Sequence, residues 1–195
     1  MTPSFPSSSD HHPRRSVRLR HYDYRQAGAY FLTLCTQNRI CLFGEVVNGE
    51  MILSDIGQLV AVEWELTSEI RKEIELDAWV IMPNHLHAVV VITQSLIDIA
   101  TTSSHAAVPP ESSIRRMGST KKSLSSLIQG FKSATTKQIN VIRRTPGVPV
   151  WQRGMWEHVI RDDDDLNRIQ EYIANNPLQW SEDENNPSRV GPLPP

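Results

Sequence analysis

Two apolar runs joined by Pro83-Asn84 restrict what this chain can become more than any other stretch. Leu76–Met82 precedes the joint, and His85-Leu86-His87-Ala88-Val89-Val90-Val91-Ile92 follows it. Short runs rich in β-branched residues read as buried strands. A two-residue connection makes them pair antiparallel, so the spacing predicts a hairpin at the centre of a sheet. Side chains alternate along a strand. His85 and His87 therefore share one face, and Leu86 takes the other. Two imidazoles fixed side by side offer two ligands to one metal ion. Taken alone, they read equally well as ordinary polar positions of a half-buried strand.

The chain around the hairpin is organised as one domain, for which 195 residues with 39% hydrophobic content suffice. Residues 1–13 are polar and Pro-rich and are expected to form a disordered tail. A basic arm over residues 14–25 leads to a strand at Gly28–Thr36. Phe43–Leu53 reads as a hairpin about Asn48-Gly49. Ser54 is placed to cap a helix from Asp55 to Ile70, whose apolar positions lie on one side. Residues 93–120, rich in Ser, Thr and Pro, are expected as a long surface loop. Ser123 begins a helix with Leu124, Leu127, Ile128, Phe131, Ala134 and Ile139 on one face. Residues 148–162 contain the last strand, and Leu166–Asn176 the last helix, stopped by Pro177. Residues 181–195 are expected as a C-terminal tail. The order strand, helix, strand, strand, helix, strand, helix predicts an α+β fold: a ferredoxin-like split β-α-β antiparallel sheet, helices on one face, and one extra C-terminal helix.

Charge is distributed unevenly. From Ser112 to Arg144 there are eight Lys/Arg and no acid, among them Arg115, Arg116, Lys121, Lys122, Lys132 and Lys137, and the arm adds Arg14, Arg15, Arg18 and Arg20. Such stretches suit a nucleic-acid partner whose phosphates they could track. Asp162–Asp165 would invite a metal, but acidic residues in the first turn of a helix are explained more simply by the helix dipole. Cys35 and Cys41 are too few for a disulfide framework or a Cys-rich zinc site. No run reaches a membrane-spanning length, and a cytoplasmic location is expected with no membrane partner.

On the last helix Tyr172 and Asn176 lie four residues apart and share a face beside Leu166, Ile169 and Ile173. A tyrosine there usually serves packing, and an asparagine before Pro177 usually caps the helix. Three stretches taken together say more: Pro83-Asn84-His85-Leu86-His87, Trp151–Arg161, and Tyr172-Ile173-Ala174-Asn175-Asn176-Pro177. They resemble the single-tyrosine transposases of the HUH superfamily, in particular the branch called REP-associated tyrosine transposases, over about Tyr30 to Trp180.

The resemblance implies a catalytic domain over residues 14–180 and a catalytic tyrosine, Tyr172, on the extra helix. It implies single-stranded or hairpin DNA as substrate and one divalent metal held by His85, His87 and Asn176. It also places His158 beside the active site, and it points to a prokaryotic, nucleoid-associated monomer or homodimer. Two imidazoles and an amide oxygen with open positions suit Mg²⁺ or Mn²⁺. A metal there would offset phosphate charge while Tyr172 attacks in line, leaving a 5′-phosphotyrosine and a free 3′ hydroxyl. The 93–120 loop is longer than compact members need, and Met155 stands where an aromatic residue is common. A histidine-triad nucleotide hydrolase would need a third histidine where Val89 stands. The remaining alternative is a catalytically silent, transposase-derived DNA-binding protein.

Overall fold

The computed structural model describes residues 27–93 and 123–189. The expected tail 1–13, the basic arm 14–25 and nearly all of the 93–120 loop lie outside the described residues. So do Arg14, Arg15, Arg18, Arg20, Arg115, Arg116, Lys121 and Lys122. The strands are β1 (Gly28–Cys35), β2 (Gly44–Val47), β3 (Glu50–Leu53), β4 (Ile74–Met82), β5 (His85–Ile92) and β6 (Trp156–Ile160). The helices are α1 (Asp55–Ile70), α2 (Leu124–Arg143) and α3 (Asp163–Asn175), followed by a 3-10 turn at Pro177–Glu182.

The main sheet runs β4-β5-β1-β6, antiparallel throughout, and β2 and β3 form a separate hairpin. The path β1–α1–β4 leaves one place in the sheet, which β5 fills, and this is the expected split β-α-β arrangement. Only half of the 76–92 hairpin is central, however. The histidine strand β5 sits between two neighbours while β4 takes the edge, because β1 claims the other side of β5.

Each helix starts on a side-chain cap. Ser54 accepts from the Gly57 N–H, Ser123 and Ser126 form a reciprocal capping box, and Asp162 accepts from the Asp165 N–H. Asp163, Asp164 and Asp165 occupy the first turn of α3, as the dipole reading requires.

The two sheet faces bury different layers. Tyr30, Leu32 and Leu34 of β1 and Leu86, Ala88 and Val90 of β5 pack against α1 and α2 through Val60, Trp64, Leu127, Ile128 and Phe131. On the other face Phe31 and Val89 meet Ile169 and Ile173 of α3. Alternation along β5 thus puts His85 and His87 on the α3 side. The segment expected to be a tail from residue 181 is docked about Asp183–Asn185. Within it Asn185 is buried, and the Glu184 carbonyl accepts from Arg39 Nη1 at 2.7 Å. No described helix is long and apolar enough to cross a membrane.

Candidate active site

The site lies where the start of β5 passes beneath the end of α3. His85 and His87 are 0% and 3% exposed, with ring centroids 4.5 Å apart. Each ring is held from behind at Nδ1. Asn84 Oδ1 lies 2.9 Å from that atom of His85, and Thr33 Oγ1 lies 2.9 Å from that of His87. Thr33 holds this position because β1 pairs with β5 in a register that sets Thr33 opposite His87. Both Nε2 atoms therefore face the pocket, the orientation that supporting partners give metal-ligating histidines.

From α3, Tyr172 brings its hydroxyl to 3.2 Å from His87 Nε2. Asn176, one turn later and 2% exposed, closes the pocket. Asp183, just past the 3-10 turn, sets Oδ2 3.9 Å from His85 Nε2. One ligand atom from each of His85, His87 and Asp183 lies within 4.8 Å of the others. His85 Nε2 and Asn176 Oδ1 are buried without a hydrogen-bond partner. Buried polar atoms are normally satisfied, and leaving one bare costs on the order of 1–3 kcal/mol. A cation among these atoms removes that cost. Two imidazole nitrogens with amide and carboxylate oxygens form a donor set that fits Mg²⁺ or Mn²⁺.

Electrostatics keep the donors in ligand form. Burial pulls the His85 imidazole down to about 3, which the Asn176 amide opposes without reaching hydrogen-bond geometry, while the Arg39 charge adds to the fall. Burial and the neighbouring His85 hold His87 well below the usual histidine range. Both rings are thus neutral at pH 7. Tyr172 is pushed up to about 12, first by burial and then by the Asp183 carboxylate, with the Asn176 side chain acting the other way. Its phenol needs a nearby positive charge before it ionises at neutral pH.

Phe31 sets the rings relative to one another. It stacks on His87 at 5.5 Å and meets Tyr172 and Trp156 edge-on at 6.0 and 5.5 Å.

The structure therefore gathers His85, His87, Tyr172 and Asn176, and it separates the other candidates from them. His158 points to the start of α3, where Nε2 pairs with Asp165 Oδ2 at 2.7 Å and Arg168 holds the other carboxylate oxygen. It anchors the tyrosine helix and does not enter the pocket. Lys132 turns inward: its amine donates to the Gln152 carbonyl at 3.0 Å and to that of Gly154, lies over Trp151, and is drawn down to about 8 by burial. Where a phosphate contact is expected, Lys132 instead braces α2 to the 152–154 loop. Lys137 is exposed on α2, in the layer across the sheet from Tyr172.

Sequence reasoning missed Asp183, Asn84 and Thr33. Asp183 fell in the supposed tail, where only the acidic run Glu182-Asp183-Glu184 marked it. Asn84 adjoins the histidines and reads as turn, and Thr33 becomes visible only through strand register.

No protein-family model matches the chain. An uncharacterized protein of Haemophilus influenzae is 36% identical over 176 residues, which cover 89% of this chain and 93% of that protein. The solved structure of a REP-associated tyrosine transposase bound to a REP hairpin superposes with a TM-score of 0.53 at 22% identity. The match covers 83% of this chain and 73% of that one.

Proposed function

This chain belongs to the family of the Haemophilus influenzae protein and has the fold of the REP-associated tyrosine transposase, and from that premise we propose that it is a metal-dependent transposase that nicks and rejoins single-stranded DNA. The observation that carries the reading is the convergence of the Tyr172 hydroxyl on His87 Nε2, beside the unpartnered His85 Nε2 and Asn176 Oδ1. A packing tyrosine and a capping asparagine would not require two buried histidines opposite them.

In this reading His85, His87, Asn176 and Asp183 hold one Mg²⁺ or Mn²⁺. The ion, when bound, neutralises the non-bridging oxygens of the scissile phosphate and favours the phenolate. Tyr172 Oη attacks phosphorus in line, a bond from Oη to phosphorus forms, and the bond from phosphorus to the 3′ oxygen breaks. The proton given up by the Tyr172 phenol passes to solvent, the departing 3′ oxygen takes one up from solvent, and the 5′ phosphate remains on Tyr172. The reverse attack by a 3′ hydroxyl rejoins strands and frees the phenol, so no energy-rich cofactor is consumed. Phe31, packed edge-on to Tyr172 and stacked on His87, keeps nucleophile and ligand in one orientation.

The neighbouring transposase is bound to a REP hairpin. Hairpin-bearing or repeat DNA is accordingly the substrate class we assign here, with the basic arm 14–25 and the Arg115–Lys122 region as its phosphate contacts. The enzyme is read as a cytoplasmic, nucleoid-associated monomer or homodimer, its catalytic domain running from residue 14 to 180 and completed by Asp183.

The test is incubation of the purified protein with labelled hairpin oligonucleotides and Mn²⁺, scored for a denaturation-resistant adduct. An adduct in the wild type and none in Tyr172→Phe is the expected result. Tight, salt-sensitive binding without an adduct across a broad pool of repeats would replace this reading with the non-cutting DNA-binding protein.

A further inference from the structure

The Asn84 side chain is completely buried and makes three hydrogen bonds. Nδ2 lies 2.9 Å from the Arg39 carbonyl and 2.7 Å from the Asn185 carbonyl, and Oδ1 lies 2.9 Å from His85 Nδ1. Carbonyl oxygens only accept, so the amide end between two of them is the NH₂ group. Reversing the amide would set three oxygens against one another and forfeit two buried hydrogen bonds.

With its NH₂ group so placed, Asn84 presents an oxygen to His85. An amide oxygen cannot donate, so His85 Nδ1 carries the proton. A neutral imidazole has one N–H, and Nε2 is then a bare lone pair. That atom is the one buried without a hydrogen-bond partner, and it faces Asp183 Oδ2 at 3.9 Å. Asn176 Oδ1 is likewise unpartnered. The His85 and Asn176 acceptors, both unpartnered, and the Asp183 carboxylate converge here, an arrangement that a cation relieves.

His87 is held differently. Its Nδ1 partner is the Thr33 hydroxyl, which either donates or accepts, so that contact selects neither tautomer.

We infer that Asn84 is a positioning residue that locks His85 in the Nδ1–H tautomer and so presents Nε2 to a divalent cation. The Asn185 carbonyl, by orienting Asn84, makes the 183–185 segment part of that centre. The inference rests on the preceding reading that the pocket takes such an ion, yet the tautomer is measurable without one.

The experiment uses the full metal-free chain with ¹⁵N-labelled histidine. Long-range proton–nitrogen NMR assigns the proton on each ring, with His85→Gln identifying the His85 signals, and Mn²⁺ titration followed by electron paramagnetic resonance measures uptake. The expected wild type has a protonated Nδ1 and a bare Nε2 at His85. Asn84→Ala is expected to mix the tautomers and weaken Mn²⁺ binding on the order of 10–100-fold. A wild type protonated at Nε2 overturns the inference, and so does an Asn84→Ala protein that binds Mn²⁺ as tightly as the wild type. If that variant fails to fold, the wild-type spectrum alone decides. Mn²⁺ uptake absent from a wild type with the expected tautomer overturns the metal reading of the site and leaves the hydrogen-bond assignment of Asn84 standing.

Discussion

The Tyr172 hydroxyl stands 3.2 Å from His87 Nε2, although the two residues are 85 positions apart in the chain. Two features fix that distance. Alternation along β5 turns His87 toward α3, and Ile169 and Ile173 seat α3 on Phe31 and Val89. The Tyr172 hydroxyl is therefore set by core packing, and the His158–Asp165 pair tethers the start of its helix. A group placed by a rigid scaffold needs little reorganisation at the moment of attack.

Removing only the hydroxyl separates chemistry from fold. Tyr172→Phe keeps the edge-on contact with Phe31 and loses the hydrogen bond to His87. Adduct formation is expected to vanish on a denaturing gel, while hairpin binding by gel shift stays within about twofold and stability changes by about 1 kcal/mol or less. An adduct persisting in this variant would mean that another residue is the nucleophile.

Acid should destabilise the metal-free protein over a defined window. His85 titrates near 6.5 when unfolded and about 3 when folded, and His87 is also held well below 6.5. With folded values depressed, their contribution is fully present above about pH 6.5 and is lost as pH falls toward 3. Each tenfold difference in proton affinity between the folded and unfolded chain is worth about 1.4 kcal/mol. Melting temperatures between pH 7.5 and 4 are expected to fall steeply in the wild type and less steeply in His85→Gln. Mn²⁺ binding should survive at pH 5.5, where a solvated histidine pair would already be protonated.

Side-chain periodicity made half of the site legible in the sequence. Alternation put His85 and His87 on one face, and the four-residue spacing joined Tyr172 to Asn176. Ser54, Ser123 and Asp162 announced three helix starts. What was not legible belongs to contacts between elements. Lys132 carried the charge of a phosphate contact, but whether an amine faces solvent or two carbonyls depends on how the 152–154 loop docks. His158 sits beside the site in sequence motif, yet strand β6 points it at Asp165. Asp183 belongs to a segment without periodicity, and only the turn at Pro177–Glu182 brings it back to His85.

Replacing Asp183 tests whether its carboxylate serves the pocket. Asp183→Asn retains the shape and removes a charge that pushes the Tyr172 pKa up. Tyr172 in the metal-free variant is expected to ionise below the wild-type value of about 12 and still above 10, because burial, the larger cause, remains. Ultraviolet titration against Tyr172→Phe reads this change. Mn²⁺ affinity should fall by about tenfold, since ligand charge tunes binding of hard cations, and adduct yield should recover at saturating Mn²⁺. An unchanged affinity would remove Asp183 from the ligand set.

Two glycines in helices should respond to alanine with opposite signs. Helix propensity favours alanine over glycine by about 1 kcal/mol. Gly130 on α2 is exposed, and an added Cβ would meet nothing within 4 Å, so Gly130→Ala is expected to stabilise by roughly 0.5–1 kcal/mol. At Gly57 on α1 the same atom would collide with the Phe43 carbonyl oxygen, which already accepts from the Ser54 N–H at 2.9 Å. That oxygen belongs to the backbone and cannot swing aside without opening the junction between the β2–β3 hairpin and α1. Gly57→Ala is therefore expected to destabilise by about 2–4 kcal/mol. Urea midpoints of the two variants decide the matter: equal shifts of the same sign would show that α1 does not pack against the Phe43 backbone as closely as this.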